Sequence, residues 1–181
     1  VFLDNHDLSR SLSVLKENID AYKAAYGILF TTRGVPQTYY GFEILMKNFS
    51  NPDGLVRSDF PGGWETDKVN KFSSEGRTKE ENDVFNYLKT LANYRKNTPA
   101  LHSGKLMQYV PVDGIYTYFR YDNNKTVMVV VNSNTKPSTL NLSRFKERIQ
   151  DKKSAINIID KQVINLASDL NIPAKTTLVL E

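Results

Sequence analysis

Apolar residues follow two different periods along this chain. Between Val14 and Phe30, apolar or small side chains at Val14, Leu15, Ile19, Tyr22, Ala25, Tyr26, Leu29 and Phe30 recur in three- and four-residue steps, which predicts an amphipathic helix over 14–30. Gly34 and Pro36 stop it, and Val35-Pro36-Gln37-Thr38-Tyr39-Tyr40-Gly41 reads as a short extended strand closed by glycine. Upstream, Val1-Phe2-Leu3 runs directly into Asp4-Asn5-His6-Asp7, the pattern of a buried parallel strand whose carboxyl end delivers polar side chains into a site. Strand, helix, strand is the parallel-sheet unit. A second helix is expected over 79–96, with Val84, Tyr87, Leu88, Leu91 and Tyr94 on one stripe, an acidic start at Glu80-Glu81 and an end at Asn97-Thr98-Pro99.

From Lys47 to Thr78 the periodicity disappears among Asn, Asp, Gly, Pro, Ser and charged residues, with Asn51-Pro52-Asp53-Gly54 and Pro61-Gly62-Gly63 as turn signals. An irregular stretch of that length is uncommon in a compact domain unless it is functional or mobile. After Pro99 the period changes to alternation. Strands are expected at 105–111, 114–121, 126–131, 137–142, 155–159 and 175–180, with Asp122-Asn123-Asn124-Lys125 as a hairpin turn. Short strands at this spacing point to an antiparallel β-sandwich. Tyr116, Tyr118 and Tyr121 are taken as one face of a sandwich strand, with sugar binding by exposed aromatics as the other reading.

Composition narrows the chemistry. With no cysteine among 181 residues, disulfide frameworks, thiolate metal sites and thiol nucleophiles are excluded. Two histidines, His6 and His102, do not make a three-histidine metal site. Apolar runs such as Val127–Val131 fall far short of the roughly 20 residues of a membrane-spanning helix, so no membrane partner is expected. The net charge of +4 invites a nucleic-acid reading, but the densest basic stretch, Arg144 to Lys153, also carries Glu147 and Asp151 and reads as a solvated mixed-charge face. No nucleic-acid partner is expected. The start, without methionine, basic segment or apolar signal core, suggests a piece of a longer chain.

Four consecutive polar residues after an apolar strand cannot enter a core without partners, so Asp4-Asn5-His6-Asp7 either caps a turn or helix or forms part of a site. Both strand ends, 4–7 and Tyr39-Tyr40-Gly41-Phe42-Glu43, would face the same rim of a barrel. Phe2-Leu3-Asp4-Asn5-His6-Asp7 and Gly34-Val35-Pro36-Gln37-Thr38-Tyr39-Tyr40-Gly41-Phe42-Glu43 resemble the seventh- and eighth-strand motifs of the α-amylase superfamily of glycoside hydrolases. The segment Gly54 to Trp64 is similar to the loop after the eighth strand in neopullulanase and cyclomaltodextrinase-like members.

The resemblance implies an α/β plus all-β chain: residues 1–98 as the last two βα units of an eight-stranded (β/α)8 TIM barrel, and residues 99–181 as a C-terminal antiparallel β-sandwich. Such enzymes are retaining glycosidases of α-1,4-linked glucans, in which one carboxylate attacks the anomeric carbon and a carboxylic acid protonates the leaving oxygen. Asp7 matches the family's third carboxylate, which stabilises the oxocarbenium-like transition state, and His6 matches the neighbouring histidine that hydrogen-bonds sugar hydroxyls. Nucleophile and acid/base belong to the fourth and fifth strands, outside this chain, so the chain alone is expected to be inactive. Arg57 and Asp59 are candidate substrate contacts, the alternative being that they pair with each other or cap the loop. Trp64 either anchors the loop to the barrel or stacks on a sugar ring; of Tyr39 and Tyr40, one is expected in the core. Glu43 is read as structural, and His102 as a satisfied histidine at the domain junction.

The resemblance implies an α-glucan oligosaccharide or polysaccharide as partner, and it favours a periplasmic or secreted location. The family's usual calcium ligands lie upstream of the matched region and no Asp-x-Asp-x-Asn loop occurs here, so no metal or other cofactor is assigned to this chain. Two barrel strands alone leave an uncovered apolar face, from which self-association is expected. The competing reading is a non-catalytic carbohydrate-binding or interaction module built on the tyrosine-rich sandwich.

Overall fold

The computed structural model of the protein describes residues 1–150 and 152–181. In chain order it contains helices α1 (Ser11–Val14), α2 (Ile19–Thr31), α3 (Lys79–Lys96) and α4 (Pro99–His102), strands β1 (Lys105–Gln108), β2 (Ile115–Tyr121), β3 (Thr126–Asn132) and β4 (Ser138–Leu140), helix α5 (Lys146–Ile149), and strands β5 (Ser154–Ile156), β6 (Val163–Asn165), β7 (Leu170–Ile172) and β8 (Thr176–Leu180). Single 3₁₀ turns occupy Phe42–Ile44, Leu55–Arg57 and Leu142–Phe145.

The helix expected over 14–30 is in fact two. Lys16 and Glu17 take left-handed conformations at φ 54° and 56°, a break that a side-chain period cannot reveal because neither is glycine. α2 restarts behind Asn18, whose side chain accepts the Ala21 N–H at 2.8 Å. Val14 lies before the break and is 60% exposed, so it belongs to no buried stripe. α3 forms where the stripe places it. Its first turn is closed by a capping box: the Glu81 N–H donates to Thr78 Oγ1 at 3.1 Å and the Thr78 N–H to Glu81 Oε2 at 2.9 Å.

Neither 1–3 nor 35–41 forms a regular strand, yet the two segments run side by side. The Val1 amino group donates to the Val35 carbonyl at 2.9 Å and the Gln37 N–H to the Val1 carbonyl at 2.8 Å, a parallel pairing pattern. The second segment ends at Gly41, where φ is +79°, a backbone conformation that strains any residue with a Cβ.

The C-terminal half is built on an antiparallel four-stranded sheet in the order β1-β2-β3-β8, with β4-β7 and β5-β6 as two-stranded sheets. β2 and β3 are covered on both faces, which explains the nearly continuous apolar run Val127–Val131. One face, with Tyr118, Val127, Val129, Val131 and Val179, packs on Tyr22, Tyr26, Leu29 and Phe30 of α2 and Val84, Leu88 and Leu91 of α3. The other face, with Ile115, Phe119, Met128, Val130 and Leu180, packs on Phe145, Ile149, Leu170 and Ile172. Each such fully buried side chain is worth about 1.5–3 kcal/mol relative to exposure, so the helical half and the sheet share one core. The tyrosine row divides across the sheet. Tyr116 and Tyr118 face α2, whereas Tyr121, an odd number of residues away, lies on the opposite face. The charged stretch after Asn141 carries Phe145, at the end of the 3₁₀ turn, and Ile149, on α5, inward while Arg144, Lys146, Glu147, Lys152 and Lys153 stay exposed; Asp151 lies outside the described residues.

Contact between the halves is close and polar as well as apolar. At Gly27 of α2 a Cβ would lie 2.7 Å from the Thr177 Cβ, and Thr177 Oγ1 donates to the Ala24 carbonyl at 2.9 Å. Arg120 of β2 is fully buried; its guanidinium donates to the Thr31 and Thr32 carbonyls at the end of α2 (3.2 and 2.8 Å) and to the His102 and Gly104 carbonyls (3.4 and 3.2 Å). Arg95 of α3 donates to the Phe30, Thr32 and Gly34 carbonyls at 2.9, 3.2 and 2.5 Å. His102 itself is exposed rather than packed at the junction, and only its carbonyl joins this network.

Candidate active site

The polar cluster after Leu3 divides into two supporting and two projecting residues. Asp4 is buried, and its Oδ2 accepts the Ser11 N–H at 2.7 Å and the Ser11 hydroxyl at 2.8 Å, serving the free N–H groups at the start of α1. The Ser11 hydroxyl is 3.2 Å from the Tyr26 phenol, which burial, followed by the nearby Asp4 charge, pushes up to about 12. Asn5 Oδ1 accepts the Asp7 and Leu8 N–H groups at 2.9 and 3.0 Å, a local turn that points the intervening side chains away from the core. His6 and Asp7 therefore project, each with 64% of its side chain accessible.

Asp7 meets a partner on each oxygen. His6 Nε2 lies 3.1 Å from Oδ2, and Arg57 Nη2 donates to Oδ1 at 3.3 Å. Arg57 also donates through Nε to the His6 carbonyl at 3.0 Å and pairs with Asp53 at 3.2 Å. Residues about fifty positions apart in sequence thus converge on one carboxylate.

The group that brings them together is Arg10, which the sequence reading passed over. It is 1% exposed; Nε and Nη2 donate to the Val56 carbonyl at 3.1 and 2.7 Å, and Nη1 to the Tyr40 carbonyl at 2.5 Å. The guanidinium also lies over the Tyr39 and Tyr40 rings, 4.2 and 4.9 Å from their centroids. The one available signal was a lone arginine between two serines directly after the motif. The 3₁₀ turn that presents Arg57 begins at Gly54, with φ +90°, and the Tyr40 hydroxyl donates to the Ser58 carbonyl at 2.7 Å on its far side. Neither Tyr39 nor Tyr40 is in the core; both lie against the Arg10 guanidinium.

Asp59 is exposed and makes no ion pair or side-chain hydrogen bond among the described residues, so the structure joins His6, Asp7 and Arg57 but not Asp59. Trp64 is 63% exposed. Glu43 is half-buried with Oε2 unpartnered; burial raises its pKa above the usual 4.5, and the backbone N–H groups of Glu43 and Gly41 pull it partly back. Among the described residues no three acidic or histidine side chains cluster as metal ligands, and no helix is long and apolar enough to cross a membrane.

Both halves of the chain resemble known protein families. Residues 1–104 match the family "Alpha amylase, catalytic domain" and residues 106–181 the family "Cyclo-malto-dextrinase C-terminal domain". Among curated relatives, α-amylase 3 of Dictyoglomus thermophilum is 30% identical over 169 residues, 84% of this chain and 33% of that protein. Cyclomaltodextrin glucanotransferase of Klebsiella oxytoca is 29% identical over 153 residues, 73% of this chain and 22% of that protein. The chain thus spans a third or less of the length of these relatives. The solved structure of the Geobacillus thermoleovorans α-amylase complexed with acarbose superposes on 99% of this chain and 37% of its own, with a TM-score of 0.76 at 24% identity, a likeness of fold. The chain belongs to the α-amylase family, its catalytic-domain segment followed by a C-terminal domain of the cyclomaltodextrinase type.

Proposed function

We propose that this chain is the C-terminal part of a retaining α-glucan hydrolase that cleaves α-1,4-glucosidic bonds in maltodextrins, cyclodextrins or pullulan. Residues 1–98 supply the seventh and eighth βα units of its (β/α)8 barrel and residues 99–181 its closing β-sandwich. The parallel hydrogen bonds between Val1 and residues 35–37 support adjacent barrel strands. Relatives named as α-amylase and cyclomaltodextrin glucanotransferase support the substrate class.

The observation that carries the reading is the convergence of His6, Arg57 and Asp7 at an accessible strand end. Asp7 is the third carboxylate: it holds sugar hydroxyls in the distorted ring, where its charge interacts more strongly with the oxocarbenium-like transition state than with the ground state. The pairing with Arg57 holds the carboxylate in one orientation before substrate arrives, so little reorganisation is needed at the barrier. His6 contributes a ring nitrogen to the same hydroxyls. Arg57 offers its planar fork, and Asp59, free on the loop, an acceptor for a neighbouring glucose unit. Nucleophile and acid/base come from strands outside this chain, and the chain alone is inactive.

The test is hydrolysis of maltohexaose, β-cyclodextrin and pullulan by the full-length parent and by this 181-residue chain, with Asp7→Asn in the parent. Loss of turnover in the variant, at unchanged melting temperature, is the expected result. Intact turnover in the variant, or activity in the 181-residue chain, would overturn the assignment.

A further inference from the structure

We infer that Trp64 is the stacking platform of an additional glucan-binding subsite on the loop following Arg57, outside the Asp7 cluster; the ligand class rests on the function proposed above. Trp64 is the only tryptophan in the chain, and an indole 63% exposed is a costly thing to leave in water. A mobile loop could fold such a ring away. This one is held. The Gly62 and Trp64 N–H groups both donate to Asp67 Oδ2, at 2.7 and 3.1 Å, and the Asp67 N–H returns to the Trp64 carbonyl at 3.0 Å.

Further along, the same loop is fixed to the body of the protein. The Lys71 N–H donates to the Pro61 carbonyl at 3.0 Å, and the Lys71 ammonium pairs with Glu81 in the first turn of α3. Phe60 and Phe72 pack in a tilted pair with centroids 4.4 Å apart, and Phe72 is itself 65% exposed. Gly62 is fixed at φ +106° against Asn70, where a Cβ would lie 2.7 Å from the Asn70 Cα. The turn before the indole is therefore Pro61-Gly62-Gly63, in which the two residues preceding Trp64 carry no side chain to cover it.

An exposed aromatic on a held backbone turn, with the acidic and amide groups of Asp67 and Asn70 packed at that turn, is the composition of a sugar site: the ring faces the apolar C–H face of a pyranose while polar neighbours take its hydroxyls. Continuity argues for the same glucan that reaches Asp7. Trp64 lies seven positions after Arg57, which is paired with Asp7, at most about 25 Å of extended chain. The turns at 60–63 and 64–67 shorten that reach. An oligosaccharide of several units bound at Asp7 and running along the loop meets the indole; a single glucose does not.

Because Trp64 is the sole indole, its emission in the 181-residue chain reads this subsite directly. Titration with maltohexaose is expected to shift and change the emission saturably, with a Kd on the order of 1 mM, whereas glucose and cellopentaose leave it unchanged. In the full-length parent, Trp64→Ala is expected to raise KM for maltohexaose about tenfold with kcat nearly unchanged, and Trp64→Phe to recover part of the loss. An emission unaffected by maltohexaose overturns the inference. So does an emission that is already blue-shifted without sugar and moves with protein concentration, which would assign the indole to contact with a second copy. If Asp7→Asn abolishes turnover in the parent while Trp64 ignores maltohexaose, the function stands and the subsite fails; if Trp64 responds while Asp7→Asn retains turnover, the subsite stands and the catalytic assignment fails.

Discussion

Replacing Arg120 by methionine tests whether the two halves of the chain are joined by buried charge. The wild-type guanidinium donates to carbonyls at the end of α2 and on either side of Ser103, four contacts of 2.8 to 3.4 Å, with no exposed surface. Burial, and then repulsion from Arg95, lowers its basicity from the usual 12.5, which marks the cost of placing it there. Methionine fills much of the volume and removes that cost, together with the unpartnered Nε. Against this, the Thr31, His102 and Gly104 carbonyls lose a charged donor, each at about 1–3 kcal/mol. Thr32 keeps Arg95 as a donor at 3.2 Å. The loss outweighs the relief by about 2–4 kcal/mol, and at about 2–4 °C per kcal/mol for a chain of this size the melting temperature falls by about 4–16 °C.

The pair Arg95 and Arg120 sharpens that test. Both donate to the Thr32 carbonyl, so either alone still serves it, and each relieves the other of repulsion when removed. Both effects act in one direction: the double substitution to methionine costs more than the sum of the single ones, by about 0.5–3 kcal/mol. Circular dichroism melts of the four proteins measure it. An Arg120→Met variant melting within about 1 °C of wild type, or strict additivity within about 0.5 kcal/mol, would refute the reasoning.

Two further outcomes are expected. Glu43→Gln raises the melting temperature at pH 7 and leaves it unchanged at pH 3: the folded state holds the proton more tightly than the unfolded one, so ionisation of Glu43 withdraws stability as pH rises above about 4.5, and the amide has no charge to lose. A variant whose melting curve tracks the wild type at both pH values would show that the half-buried carboxylate is not penalised. Val1, Phe2 and Val35 are 53%, 48% and 82% exposed along the pair of segments that the proposed barrel would cover, so the isolated chain is expected to scatter light above its 20.6 kDa mass and to bind a hydrophobe-sensing dye. A monomer without dye binding would remove the argument for an uncovered face.

How far the sequence carries depends on what each element is made of. α3 is legible because its apolar stripe and its Thr78–Glu81 box agree, and β2 and β3 because alternation and a polar turn agree. The break before α2 is not legible, since it rests on left-handed backbone at Lys16 and Glu17, residues with no special tendency to adopt it. β6 and β7, three residues each, carry too little pattern to be seen, and the division of the tyrosine row follows from counting residues along β2 rather than from residue type. At the site, the motif marks a run of polar residues, but not that Asp4 caps α1 and Asn5 closes a turn while His6 and Asp7 project. That division comes from long-range contacts, with Ser11 and with Arg57, that no local spacing encodes.

Arg10 shows what such contacts do for the site. Its guanidinium reaches the Val56 and Tyr40 carbonyls at once and lies over two tyrosines, so the turn that carries Arg57 is fixed to the end of the 35–41 segment. Lysine at this position keeps the charge but has a single head group, which cannot span both carbonyls and stack. Arg10→Lys is therefore expected to leave Asp7 and its Asn5 turn in place, because those depend on residues 4–11, while the 54–57 turn loosens and Arg57 loses its fixed approach. Hydrogen exchange in the 181-residue chain should show faster exchange at 54–58 and unchanged protection in α2 and α3. In the full-length parent, kcat/KM on maltohexaose should fall by about tenfold or more, since misplacement of a positioning group costs rate without touching the reacting atoms. Unchanged exchange at 54–58 would mean that the loop is held by its own turn geometry. In that case Arg10 is a packed cation only, and the convergence of Arg57 on Asp7 must arise from their pairing alone.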